Sequence, residues 1–321
     1  MPSWLAYLVG LFSTQSALAA SCPPNTIPWP GEPCEAIANA TADATTFLRA
    51  NIFPFDETNA ATYFDGGIAA TTVQLALAAR TKFKWAASVP REMFNGFVLP
   101  YANVNEARSN WRQLFWDALS TQDWVAALPA DASLEAVALA INAHAWQTLG
   151  KLGGHDKGIV FKSEQTPLIY DPLSTTLFGY ASCTGISITY IDALRTLGVP
   201  ARLVGTPAWH GKVADGNHNW VEVWLGHELG WHFIEGAPAG GGETFTNPCD
   251  KWFCNAGHFN SSGTRVYAAV YDRRIVSSAC AAAGSSCSYS APHYPMAWEL
   301  DNWGVAGVVR SADYDKVCTA C

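Results

Sequence analysis

The chain has 321 residues, of which 49% are hydrophobic and only 14% are charged, with a formal net charge of −8. So few charges among so many apolar residues exclude a disordered chain and indicate a large core, in two domains or in one enlarged domain. The negative charge, with no basic patch to offset it, argues against nucleic acid or an anionic membrane as a partner.

The N-terminal stretch has the character of a secretory signal peptide. Residues 1–20 contain no charged side chain, have an apolar middle and end in small residues at Ala19 and Ala20. A basic residue near the start is missing, and a membrane anchor is the alternative. The apolar run is too short to cross a hydrocarbon core of about 30 Å, however. We therefore expect a secreted chain with no membrane span after signal cleavage.

Cysteine usage favours an oxidising compartment. Of nine cysteines, Cys183 stands alone in the middle of the chain, and the other eight, enough for up to four disulfides, lie toward its two ends. The sequence does not fix the pairing. Closure of short loops would join Cys22 to Cys34, Cys249 to Cys254, Cys280 to Cys287 and Cys318 to Cys321. A zinc site at Cys249, Cys254 and His258 is disfavoured because oxidised sulfur cannot bind a metal as thiolate, so we expect no metal.

The first third of the chain is rich in alanine and in helical periodicity. A proline-rich arm is followed by segments in which apolar residues recur at helical spacing, separated by prolines and glycines. These segments are 35–50, 69–83 and 105–119. The pattern predicts a cysteine-clipped arm and a helical lobe, and a further helix is predicted to start at the capping residue Ser133.

A helix is also predicted to begin at Cys183. Apolar residues recur at helical spacing from Ile186 to Leu197, and Gly198 and Pro200 stand where a helix normally stops. Unpaired amides and the positive end of the helix dipole stabilise a thiolate at such a position, so the pKa of the Cys183 thiol should fall. An unpaired cysteine in a secreted chain is in addition a candidate reactive thiol.

Two strands joined by a hairpin follow this helix. Residues 217–225 alternate in polarity with His218 at their entrance, and 231–236 form the return strand. Folding the hairpin places Glu235 beside His218, on strands about 5 Å apart. Glu222 is the rival carboxylate, but it lies about 13 Å from His218 along the strand, which is too far to orient the imidazole.

A thiolate, an imidazole and a carboxylate that fixes the imidazole tautomer are the parts of an activated nucleophile. Here the helix after Cys183 ends in Leu-Gly-Val-Pro-Ala-Arg, the next strand reads His-x-Trp-Val-Glu-Val, and the return strand reads Gly-Trp-His-Phe-Ile-Glu. This set resembles the transglutaminase-like core, a relative of papain-type folds, over residues 132–240. The resemblance implies that Cys183, His218 and Glu235 are the catalytic residues, with Glu in place of the usual Asp.

The resemblance also implies a fold and an activity. The fold would be α+β, with the helix that bears the cysteine packed on an antiparallel sheet. The activity would be attack on an amide or peptide carbonyl of a protein or peptide substrate, through an acyl-enzyme and without a cofactor. Water as acceptor would give a protease or amidase and a lysine amine a cross-linking transferase, and the sequence leaves this open. A non-catalytic peptide- or glycan-binding module that retains the fold is the competing interpretation.

The resemblance further implies that residues 153–179, which are predicted to be mostly irregular, border the substrate groove. Either Gln165 or Tyr180 could then add a donor to an oxyanion hole whose other donor would be the Cys183 amide. The sequence does not choose between them.

The predicted organisation has four parts and leaves the oligomeric state open. These are a signal peptide at 1–20, the arm and helical lobe at 21–131, the transglutaminase-like catalytic core at 132–240 and a disulfide-rich C-terminal extension at 241–321. The extension follows a change to glycine-rich sequence and carries a predicted strand over 265–271.

Overall fold

The computed structural model describes residues 22–65, 67–240, 263–273, 293–300 and 304–319. Within the first range, Cys22 and Cys34 form one of the predicted disulfides. The predicted signal peptide, His258 and the side chains of the other six cysteines predicted to form disulfides lie outside what is described. Their pairing stays a prediction.

Helices dominate the part of the chain before the main sheet, and those predicted over 35–50 and 69–83 are confirmed as the first and third of them. In chain order the helices are α1 Ile37–Ala50, α2 Ala60–Asp65, α3 Ile68–Lys82, α4 Lys84–Ala87, α5 Arg91–Phe97, α6 Trp111–Leu119, α7 Asp123–Ala126, α8 Leu134–Leu152, α9 Pro172–Phe178, α10 Cys183–Thr196 and α11 Ser311–Thr319. Within the described ranges, no helix combines the length and the apolar character needed to cross a membrane.

The strands form two small pairs and one larger antiparallel sheet. They are β1 Thr26–Ile27, β2 Glu35–Ala36, β3 Val160–Phe161, β4 Tyr180–Ala181, β5 Ala201–Thr206, β6 His218–Trp224, β7 Trp231–Ile234, β8 Tyr267–Val270 and β9 Ala306–Val309. The larger sheet has the order β7-β6-β5-β8-β9, and β3 pairs with β4 in parallel. The predicted hairpin is therefore present as β6 and β7, and the strand predicted over 265–271 is present as β8.

The helix that begins at Cys183 is central to the packing. Every residue from Thr184 to Thr196 is buried, and α10 contacts α6, α8, α9 and the strands β5 and β6. A helix without an exposed face has to satisfy its polar side chains internally. Arg195, for example, donates hydrogen bonds to three backbone carbonyls. The predicted packing of this helix on an antiparallel sheet is confirmed.

The larger sheet buries apolar side chains on both faces because successive residues of a strand point to opposite sides. Val221 and Val223 of β6 belong to the main core, which also contains the apolar residues of α10. Trp220, which precedes Val221 in sequence, packs with Trp209 and Tyr314 in a smaller cluster. This second cluster attaches α11 to the sheet.

The helix predicted over 105–119 begins later than expected, at Trp111. The buried Glu106 carboxylate accepts hydrogen bonds from two backbone amides just before it, at 2.6 and 2.7 Å. Arg108 donates to two carbonyls of the same loop, each at 2.7 Å. Because these bonds take up backbone groups that a helix would use, the loop is irregular, and the prediction is wrong for residues 105–110.

Residues 153–179 are more regular than predicted, since they contain β3 and α9. Asp171 caps α9 by accepting a hydrogen bond from the Ser174 amide at 3.0 Å, and Pro172 occupies the first turn. Gly179 ends the helix in the left-handed region at φ 72°. An Asp-Pro pair before a glycine is a local helix signal that could have revealed α9 from the sequence.

Candidate functional site

The unpaired cysteine opens the central helix. Cys183 is the first residue of α10, and Ser182 before it is extended, with φ −79° and ψ −175°. The thiol is not in a disulfide, and the residue keeps part of its surface exposed. It therefore lies where amides without helical partners and the helix dipole favour negative charge, as the sequence predicted.

The neighbouring imidazole comes from the sheet. His218 is the first residue of β6, opposite Thr206 of β5. Its ring stacks near Trp209 and Trp220, at interplanar angles of 21° and 24°. His218 Nε2 is hydrogen bonded to Glu235 Oε1, so the contact predicted from the hairpin is present.

Glu235 follows β7 and is held by a residue that the sequence did not single out. Its backbone carbonyl accepts a hydrogen bond from Asn142 Nδ2 at 2.9 Å, and Asn142 Oδ1 accepts one from the Ala237 amide at 2.8 Å. Asn142 lies in the buried part of α8 and also accepts a hydrogen bond from Trp146 Nε1 at 3.1 Å. A polar amide at an apolar position of a helix was the only sequence signal for this role.

Charge and burial together reverse the usual order of the thiol and imidazole pKa values. Burial acts to raise the pKa of Cys183, but the charge and hydrogen bond of His218 and a hydrogen bond from the Asn219 amide outweigh it and lower this pKa below its ordinary value. Burial acts to lower the pKa of His218, but Cys183 and Glu235 outweigh it and raise this pKa to about 10. The imidazolium is therefore the expected form of His218 at neutral pH, and its charge favours ionisation of the Cys183 thiol.

Asn219 connects α10 to the sheet, and the sequence did not single it out either. Its backbone amide donates a hydrogen bond to the Cys183 thiol, and its side-chain oxygen accepts a hydrogen bond from Thr184 Oγ1 at 2.8 Å. Its backbone carbonyl accepts one from Ser187 Oγ at 3.2 Å, and its Nδ2 donates to the Tyr294 hydroxyl at 2.5 Å. These bonds fix the start of α10 against β6.

Of the comparisons with known proteins, the one with family models returned a match. Residues 154–235 match the family model of the transglutaminase-like superfamily, a range that includes Cys183, His218 and Glu235. The chain contains a transglutaminase-like domain. The superfamily generally consists of cysteine-dependent acyl-transfer enzymes and includes inactive members. Searches of curated proteins and of solved structures returned no match.

Glu222, the rival carboxylate, belongs to a different cluster of polar side chains. Arg202 donates two hydrogen bonds to it, at 2.6 and 2.8 Å, and Arg310 donates one at 3.1 Å. The Tyr314 hydroxyl donates another at 2.9 Å. The preference for Glu235 over Glu222 as the hydrogen-bond partner of His218 is confirmed.

The two residues considered as further oxyanion donors have other contacts in this domain. Gln165 Nε2 donates to the Ser163 carbonyl at 3.1 Å, within its own loop. The ring of Tyr180 packs beneath Lys162, whose Nζ lies 3.6 Å from the ring centroid. Across the described part of the chain, no three His, Cys, Asp or Glu side chains are grouped so as to hold a metal ion.

Proposed function

We propose that this chain is a thiol-dependent acyl-transfer enzyme of the transglutaminase-like kind. Cys183 attacks the carbonyl carbon of an amide or peptide bond, and His218 donates and accepts the protons of the reaction. Glu235 keeps the imidazole charged and oriented. The observation that carries the proposal is the single imidazole that contacts both the helix-start thiol and a buried carboxylate.

The reaction would proceed in two balanced halves. The thiolate forms a bond to the carbonyl carbon, the carbon–nitrogen bond breaks, and the imidazolium proton of His218 passes to the leaving amine. In the second half, water or an amine loses a proton to His218 as it attacks the thioester, and Cys183 leaves as thiolate. Hydrolysis and transfer differ only in this second nucleophile.

The proposal also covers the location of the enzyme and its domain organisation. We infer a signal peptide at 1–20, secretion, a helical lobe at 21–131, the catalytic core at 132–240 and a disulfide-clipped extension at 241–321. The Cys22–Cys34 disulfide supports an oxidising compartment. A protein or peptide substrate suits the chemistry, and the net charge of −8 disfavours nucleic acid.

Thiol alkylation tests the core of the proposal without knowledge of the substrate. Iodoacetamide should label Cys183 in the native protein rapidly near neutral pH, and His218→Ala should slow the labelling because the cationic partner is gone. Labelling at the rate of an ordinary thiol would favour a non-catalytic peptide- or glycan-binding module. A count of zero free thiols under denaturing, non-reducing conditions would remove the enzyme hypothesis.

Peptide profiling then separates the two directions of acyl transfer. The protein is incubated with a mixed peptide pool and a primary amine donor, and products are identified by mass spectrometry. New peptide termini or deamidated side chains indicate hydrolysis, whereas amine adducts indicate transfer. Cys183→Ala is the control, and products that persist in this variant would contradict the assignment of the nucleophile.

A further inference from the structure

The residue before the nucleophile has an unusual hydrogen bond for its position. Ser182 is the N-cap of α10, and serine at this position normally accepts a hydrogen bond from the amide of the second or third helical residue. Its side chain makes no such bond. Instead, Ser182 Oγ lies 2.7 Å from Thr166 Oγ1, in the loop that precedes α9.

Two other helices of the same chain show the ordinary arrangement. Ser133 Oγ accepts the Ala136 amide of α8 at 3.1 Å, and the Asp171 carboxylate accepts the Ser174 amide of α9 at 3.0 Å. Among the described helices α6 also lacks a side-chain cap, although Asn110 is its N-cap residue, so the feature particular to α10 is that its N-cap hydroxyl is bonded to Thr166.

The contact with Thr166 leaves backbone donors available beside the thiol. The amides of Thr184 and Gly185, the second and third residues of α10, have no hydrogen-bond acceptor among the described residues. Amides at a helix start stabilise a thiolate, and they stabilise the oxyanion that forms when a thiolate attacks a carbonyl. A capping hydroxyl would compete for these donors.

We propose that Thr166 is a positioning residue that holds the Ser182 hydroxyl away from the helix amides, so that these donors serve the Cys183 thiolate and the reaction oxyanion. This inference rests on the proposed function in its second half, since an oxyanion forms only if Cys183 attacks a carbonyl. Its first half, the effect on the thiolate, can be measured without any substrate.

Thr166→Val is the central variant because it removes the hydroxyl and keeps the shape of the side chain. The released Ser182 hydroxyl should cap α10, and the pH at which alkylation of Cys183 is half-maximal should rise. The rate at pH 6 should fall roughly three- to tenfold, the effect of losing one donor to a thiolate. Thr166→Ser, which keeps a hydroxyl, should restore the rate.

The double variant Thr166→Val/Ser182→Ala distinguishes two explanations for slower alkylation in Thr166→Val. Either the released Ser182 hydroxyl bonds the α10 amides, or the loop that contains Thr166 becomes less ordered. With no hydroxyl left to cap α10, the double variant should recover most of the rate that Thr166→Val loses. A double variant as slow as the single one would overturn the proposal, and so would a Thr166→Val protein with an unchanged alkylation profile.

Amide hydrogen exchange on the unmodified protein is an independent test that requires no variant to fold. The amides of Thr184 and Gly185 should exchange faster than the capped amides of Ala136 and Ser174. Equal protection in the two groups would overturn the proposal. Slow alkylation of Cys183 in the native protein, by contrast, would contradict the proposed enzymatic function. It would not contradict the inference that Thr166 and the helix amides compete for the Ser182 hydroxyl.

Discussion

Two carboxylates of the sheet region, Glu222 and Glu235, are buried to a similar extent and differ in their partners. They are 1% and 3% exposed, and each accepts hydrogen bonds from a basic side chain. Glu222 faces Arg202 and Arg310, whose guanidinium groups stay protonated near neutral pH. Glu235 faces His218, which can gain and lose a proton. Burial alone therefore does not distinguish the two carboxylates, whereas the ability of the partner to lose its proton does.

The two regions also differ in the exposure of their central groups, the Glu222 carboxylate and the Cys183 thiol. The Glu222 cluster joins β5, β6 and α11 through side chains that bond to one another within the protein. At the other site, Cys183 keeps part of its surface exposed. The buried Glu222 carboxylate is reached only by its protein partners, whereas the partly exposed Cys183 thiol is open to reagents from solution.

Loss of the Glu222 charge should have the largest effect on stability. Glu222→Gln leaves two arginines near a neutral amide, and removing one partner of a buried ion pair costs about 3–5 kcal/mol of unfolding free energy. The exposed pair Arg49–Asp65 provides the control, since Asp65→Asn should cost about 1 kcal/mol or less. Urea denaturation measures both. Similar losses for the two variants would mean that the Glu222 cluster stabilises the fold no more than an exposed ion pair does.

A substitution that displaces the Asn219 side chain should alter the Cys183 site and leave the Glu222 cluster unchanged. A Cβ at Gly205 would overlap Asn219 Nδ2 and lie 2.8 Å from the Tyr294 hydroxyl. Gly205→Ala should therefore lower the unfolding free energy by about 1–3 kcal/mol and slow the alkylation of Cys183. Gly96→Ala is the matched control because a Cβ there meets open space, and it should be neutral or stabilising by up to about 1 kcal/mol. Unchanged alkylation in Gly205→Ala would contradict the role given to Asn219.

Several parts of this arrangement were predictable because they depend on neighbours in sequence. Helical spacing after Cys183 and the expected stop at Gly198 locate Cys183 at a helix start. The two strands and their short connection bring His218 to Glu235. Both inferences use periodicity and the geometry of a hairpin, which the local sequence determines.

The residues of the site that the sequence did not reveal depend on contacts between distant segments. Thr184 and Asn219 are 35 residues apart, and Asn219 and Tyr294 are 75 apart. Asn142 reaches the Glu235 carbonyl from 93 residues away. Such bonds follow from the packing of α8, α10 and the sheet, and a single sequence carries no periodic signal for them.

Neutralising Glu235 should change reactivity more than stability, in contrast to the same change at Glu222. Glu235→Gln removes the charge that helps to raise the pKa of His218, so the imidazolium weakens and the pKa of Cys183 rises. The wild-type thiolate persists until the pH falls below its lowered pKa, and in the variant this loss occurs at higher pH. The alkylation rate at pH 6 should therefore fall by roughly tenfold, which corresponds to about 1.4 kcal/mol. An unchanged pH profile would contradict the different roles given to Glu235 and Glu222.

Removal of Arg310 should have the smallest effect, because it leaves Glu222 paired. The Arg310 side chain is 21% exposed and shares its charge with Asp313, whereas the Arg202 side chain is 6% exposed and donates two bonds to Glu222. After Arg310→Gln, the carboxylate still has Arg202 and the Tyr314 hydroxyl. Solvent screening limits the loss to about 1 kcal/mol in urea denaturation, and the alkylation profile of Cys183 should not move. A loss as large as that of Glu222→Gln would mean that both arginines are needed to neutralise one buried carboxylate.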